Sequence, residues 1–169
     1  MKESSAFVRS VILGGQDGLV NVLGIVLAVA KATQSKRVIL ISGLAATFAE
    51  SISMAAVAYT SAKAGNEYYR SRNTRNHEFD HPLRDALVVG FSAIIGSLIP
   101  LVAFVFWNVF TASLATLVIS TIVLFGAGML KGKYTGVPVV RSGIELAVIG
   151  MVAAIAGYAI GAALGALPA

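Results

Sequence analysis

VILISGLAATFAESISMAAVAYTSA, Val38–Ala62, decides how this chain is read: 25 residues that carry one charged side chain, Glu50. About 20 mostly apolar residues in helical form cross the hydrocarbon of a bilayer. Working outward, four more stretches meet that length: Ser10–Ala30, Ala86–Trp107, Thr111–Leu130 and Gly143–Leu167. The first of them is the least apolar, because Gly14, Gly15, Gln16, Asp17 and Asn21 interrupt it. Composition agrees with five spans. Hydrophobic residues make up 57% of the 169 and charged residues 12%, with a mean hydropathy of +0.82. Ordinary soluble domains run near 45–50% and about 25%. So little polar surface excludes a soluble globular enzyme, a disordered chain and a free nucleic-acid binder. The lack of cysteine excludes a disulfide framework, a thiolate metal site and a cysteine nucleophile. The expected fold is an all-α integral membrane protein, one domain over 1–169, with spans at 10–30, 38–62, 86–107, 111–130 and 143–167 and a short polar loop over 63–85. No cleavable signal peptide is expected, since the apolar run after Arg9 is too long and lacks a small-residue cleavage site.

The basic residues set the orientation. With the N-terminus in the cytoplasm, the inner segments hold Lys2, Arg9, Lys63, Arg70, Arg72, Arg75, Arg84, Lys131, Lys133 and Arg141, and the outer ones only Lys31, Lys36 and Arg37. An excess of Lys and Arg marks the cytoplasmic side, so N-in, C-out is the expectation. The net charge of +5 then reports topology, and no nucleic-acid partner is expected.

Two acids lie deep in apolar sequence, Asp17 in span 1 and Glu50 in span 2. An ionisable group at bilayer depth is a functional-site hypothesis by default. Asp17 lies eight residues beyond Arg9, and Met54 nine residues before Lys63 on the returning span. At 1.5 Å per residue both sit roughly 12–14 Å from the cytoplasmic edge, with Glu50 one turn deeper. Glu50 and Met54, four apart, share a helix face extended by Thr47 and Ala58, while Asp17, Asn21 and Gly24 form a stripe on span 1. Two carboxylates, an amide and a thioether at matching depth suit a transition metal better than magnesium or calcium, and membrane carboxylates also carry protons. The bland readings are that Met54 fills a gap and that the acids form a buried pair fixing helix register.

The polar stretch 64–84 holds Glu67, Tyr68 and Tyr69, then His77, Glu78, Asp80 and His81 ahead of Pro82. Imidazole and carboxylate so close together are candidate metal ligands. Pro82 biases its predecessor toward extended geometry, so a helical His77/His81 pair is doubtful. A solvated loop with Asp80 or Asp85 starting the next helix reads equally well. Near the end of the chain, Glu145 is expected to be hydrated or paired with Arg141. Pro100 interrupts span 3, and Gly157, Gly161 and Gly165 form a small-residue ridge suited either to internal packing or to dimerisation.

These residues resemble the vacuolar iron transporter family of proton-coupled divalent-iron exporters. Gln16-Asp17-Gly18-Leu19-Val20 is similar to the family's D-G-L-V motif. Ala49-Glu50-Ser51-Ile52-Ser53-Met54-Ala55 resembles its A-D-A-I-S-M-G pattern, with Glu50 in place of Asp. His81-Pro82, Pro100-Leu101, Lys131 to Gly136, and Arg141 through Gly161 resemble later segments in order. The resemblance implies a five-helix fold working as a homodimer, with spans 1 and 2 lining a path and Asp17, Met54 and Glu50 as metal contacts. It departs in two places. Val57-Ala58-Tyr59 lacks the acid usual at position 58, and the long Glu-rich cytoplasmic helical domain is replaced by about twenty residues.

The expected function is export of Fe²⁺ (iron), or of Mn²⁺, from the cytoplasm in exchange for protons. The metal is then substrate, with no permanently bound cofactor, and Asp17, Asn21, Glu50 and Met54 form the pore site. His77, Glu78, Asp80 and His81 are candidate loop ligands. The chain is not expected to be an enzyme, because Asp17 is the sole aspartate deep in a span and both His lie in the loop. The rival is a non-transporting membrane metal sensor or assembly protein acting through 64–84. A prokaryotic plasma membrane is the default location, absent an organelle-targeting segment.

Overall fold

The computed structural model describes residues 2–74 and 81–166, which form five helices with no strand among them. These are α1 (Lys2–Thr33), α2 (Lys36–Ser71), α3 (Pro82–Phe106), α4 (Val109–Thr135) and α5 (Val139–Gly165). Each is long and apolar enough to cross a membrane. The five expected spans each coincide with a helix, and most helices run past them; α5 instead ends at Gly165, capped by Ala166, with Leu167 outside the described residues. α2 is the clearest extension: it continues through Lys63 to Ser71, so the first part of the expected 63–85 loop is helix. Hydropathy marks where lipid ends, whereas a helix ends at a breaker. Residues 64–71 contain no proline, and their Ala, Glu, Tyr and Arg are compatible with helix. Trp107, assigned to span 3, instead caps α3 with extended backbone.

Three of the connections are short, the one from α4 to α5 being Gly136, Val137 and Pro138. Gln34 and Ser35 join α1 to α2, with Gln34 in left-handed backbone (φ 52°) and its side-chain amide donating to the Ala30 carbonyl at 2.8 Å. Trp107 and Asn108 join α3 to α4, and the Asn108 side chain accepts from the Thr111 N–H at 2.9 Å, an N-cap bond. Lys36 reaches over to donate to the Val105 carbonyl at 2.7 Å, and the Lys31 ammonium lies 5.2 Å from the centre of the Tyr158 ring. The opposite ends of the helices carry Arg9, Lys63, Arg84, Lys131 and Arg141. Here Lys131 pairs with Glu145 at 3.6 Å, so the expected Arg141 partner is replaced by one from the neighbouring helix.

α1 is the centre of the bundle and touches all four other helices. It runs parallel to α3 and α5, wedged between them. A Cβ added at Gly14 or Gly18 would strike the backbone of Val89 or Ala93 on α3, and one added at Gly157 or Gly161 would strike Gly24 or Ala28 on α1. The small-residue ridge of α5 is therefore spent on internal packing against α1. Without a hydrophobic driving force between helices in lipid, such close backbone approach is a main source of association. The same physics turns the composition inside out. α4 buries Ala112, Thr116, Ser120, Leu124, Gly128 and Gly132, one ridge at spacing four, while Phe110 (74%), Phe106 (72%) and Ile52 (70%) face outward.

Candidate metal site between the first two helices

The hairpin of α1 and α2 brings Asp17, Asn21 and Glu50 of the sequence-predicted set together. Each helix presents one flank to the other: Leu13, Asp17, Asn21 and Ile25 on α1, and Ser42, Ala46, Glu50 and Met54 on α2, all partly or fully exposed at spacing four. Neighbouring stripes do the structural packing. Val22, Val26 and Ala30 meet Ile39 in a closed apolar cluster that also takes in Leu101 and Phe104 of α3. That cluster fixes the register, and the register decides which polar groups meet.

Asn21 Nδ2 donates to Glu50 Oε1 at 2.5 Å. The Asp17 carboxyl stands near enough to Glu50 for the two to interact electrostatically. Because α1 and α2 are antiparallel, pairing Asn21 with Glu50 sets Met54, one turn along α2, level with Asp17, one turn back along α1. The depths counted from the sequence imply this same alignment. Thr47 departs from the expected face: it is buried and donates its hydroxyl to the Gly43 carbonyl at 2.8 Å.

Three properties define the chemistry. First, neither Asp17 nor Glu50 has a lysine, arginine or histidine partner among the described residues, so the two carboxyls face each other without a counter-charge. Like charges at short range in a low dielectric repel strongly, and a proton or a cation between them relieves the repulsion. Second, Glu50 Oε2 is buried with no hydrogen-bond partner. An orphaned carboxylate oxygen beside a second carboxyl is a donor group ready for a cation or a proton. Third, Asn21 is exposed and Asp17 and Glu50 only half-buried, so the cluster opens on the outer flank of the bundle. It lies about 21 Å from the start of α2 at 1.5 Å per residue, well within the apolar zone.

Of the loop candidates, only His81 falls among the described residues. His77, Glu78 and Asp80 lie outside the described residues. His81 is exposed and precedes Pro82 at the start of α3, outside helix as the proline demands, with Asp85 in the first turn. No group of three or more His, Cys, Asp or Glu fit for a metal occurs among the described residues. What sequence reasoning missed was the bond that ties the hairpin together. Asn21 stood in the right stripe, but nothing in the sequence says that its amide serves Glu50.

Five helices long and apolar enough to cross a membrane, with an uncompensated acid pair deep in the first two, define an integral membrane protein. The chain belongs to the VIT family, whose model matches residues 8–81 and 72–162. It is similar to vacuolar iron transporter homolog 1 of Oryza sativa subsp. japonica, 29% identical over 167 residues that cover 91% of this chain and 72% of the relative. Vacuolar iron transporter 1 of Arabidopsis thaliana is 23% identical over 208 residues, covering 89% and 83%. An uncharacterised protein of Methanocaldococcus jannaschii is 27% identical over 153 residues, covering 82% and 80%.

Proposed function

We infer that this protein moves a divalent transition metal, Fe²⁺ or Mn²⁺, out of the cytoplasm in exchange for protons. The observation that carries the reading is the pairing of Asp17 with Glu50, whose Oε2 has no partner, at bilayer depth. Metal bound by the two carboxylates neutralises their repulsion, and protons arriving from the other side do the same. The two cargoes therefore compete for one pair of groups, which is the minimal requirement for exchange. Met54, level with Asp17, offers a thioether that favours a softer ion over magnesium. Asn21 holds Glu50 by one oxygen and leaves the other for the ion.

A polar cluster on the outer flank of a bundle is costly against lipid. A second copy of the chain applied to this flank removes that exposure, so the working unit in this reading is a homodimer. The basic helix ends lie in the cytoplasm, and the membrane is a prokaryotic plasma membrane. The names of the similar plant proteins support iron as cargo. The test is flux in proteoliposomes loaded with a pH-sensitive dye. Addition of Fe²⁺ or Mn²⁺ to the side of the basic ends is expected to move metal and protons in opposite directions, and Asp17→Asn to abolish both. Coupled transport by Asp17→Asn at the wild-type rate overturns the role given to the acid pair.

A further inference from the structure

Many hydroxyls in this bundle bond back into their own helix. Ser51 donates to Thr47 at 2.6 Å, Ser113 to Val109 at 2.8 Å and Thr121 to Leu117 at 2.7 Å, the usual way a helix satisfies Ser and Thr away from water. Three buried hydroxyls around Pro100 do otherwise. Thr116 of α4 donates across to the Pro100 carbonyl of α3. Ser97 of α3 and Ser120 of α4 are both 0% exposed, and neither hydroxyl has a hydrogen-bond partner.

The cross-helix bond fixes where these groups stand. α3 and α4 are antiparallel, so with Thr116 opposite Pro100, Ser120 is level with Gly96 and Ser97, one turn back along α3. Pro100 has no N–H, and the carbonyl that it leaves without its helical partner is that of Gly96. α1 closes the third side, since a Cβ at Gly18 would run into Ser97 Oγ. Two orphaned hydroxyls and a released carbonyl thus share one level at the α1–α3–α4 junction. Each hydroxyl can both donate and accept, the carbonyl can only accept, and no carboxylate stands among them to hold a metal ion. The ligand that matches such a set both donates and accepts in a small volume.

We propose that Ser97, Ser120 and the Gly96 carbonyl hold an internal water molecule. Buried waters typically make about three hydrogen bonds to otherwise unsatisfied polar groups, and unsatisfied groups in a membrane interior carry a large penalty. The water sits where α1 meets α3, next to Gly18, the residue that follows Asp17. Its existence does not depend on the transport reading.

X-ray radiolytic footprinting of the full chain in nanodiscs tests it, because hydroxyl radicals form from bound water and mark its neighbours. Leu19 and Leu124, at most 2% exposed and in one apolar cluster beside this level, are expected to be modified at rates typical of wetted side chains. Ser97→Ala/Ser120→Ala is expected to bring that modification down to background, and either single variant to lower it partly. Ser142→Ala, which removes another buried and unpartnered hydroxyl at the start of α5, is expected to change nothing. Background rates at Leu19 and Leu124 in the unaltered protein overturn the proposal. So do unchanged rates in the double variant, with its helical circular dichroism intact.

Discussion

At the scale of single residues, the site depends on how Glu50 is held. The Asn21 amide donates to Glu50 Oε1, and a hydrogen bond to a charged group contributes about 1.5–3 kcal/mol. Asn21→Leu is therefore expected to weaken metal binding by about tenfold or more, measured by titration calorimetry in detergent. An unchanged affinity would mean that Glu50 is positioned by packing alone. Met54→Leu separates chemistry from volume. As a shape-conserving exchange it is expected to shift stability by less than about 1.5 kcal/mol. It is also expected to narrow the preference for Fe²⁺ over Mg²⁺ in competition flux. A variant that melts normally and keeps its full selectivity would return Met54 to the role of gap filler.

At the scale of helices, glycines with different neighbours predict opposite outcomes. Gly18→Leu and Gly161→Leu push side chains into the backbone of a neighbouring helix. Each is expected to lower the melting midpoint in detergent, by overpacking of about 1–3 kcal/mol or more. Gly126 in α4 has nothing within 4 Å of an added Cβ, so Gly126→Ala is expected to be neutral or to stabilise by up to about 1 kcal/mol. Lys131→Ala should barely register, because the Lys131–Glu145 pair is partly exposed and such pairs contribute about 0–1 kcal/mol. These contrasts also show what was legible in the sequence. The five spans and the level match of Asp17 with Met54 follow from hydropathy and helical rise, which depend on local chain properties. The partner of Glu145, the donor to Glu50 and the job of the Gly157–Gly165 ridge depend on which helices become neighbours, and periodicity within one helix carries none of that. The extension of α2 to Ser71 was missed for another reason: a polar helix beyond the lipid has no apolar signal to announce it.

At the scale of the whole molecule, the chain has no cysteine, so single introduced thiols report cleanly. Cysteines at Ser35 and at Gly136 lie at opposite ends of the bundle, and in intact cells only the first is expected to react with an impermeant maleimide if the basic ends face the cytoplasm. Labelling of Gly136→Cys alone would invert the topology. Ile25→Cys stands one turn beyond Asn21 on the exposed flank of α1. If two copies meet there, it is expected to form an intermolecular disulfide in membranes, read as a doubled mass on a gel.

α2 is one unbroken rod from its turn at Ser35 to Ser71, and this makes it a lever arm. Pivoted at that turn and tilted by 5°, it would carry Glu50 about 2 Å sideways and its far end about 4–5 Å, taking 1.5 Å of rise per residue. A displacement of 2 Å is enough to break the bond from Asn21, while the tip bearing Tyr68 and Arg72 would sweep more than twice as far. Whatever docks on that tip gains mechanical advantage over Glu50.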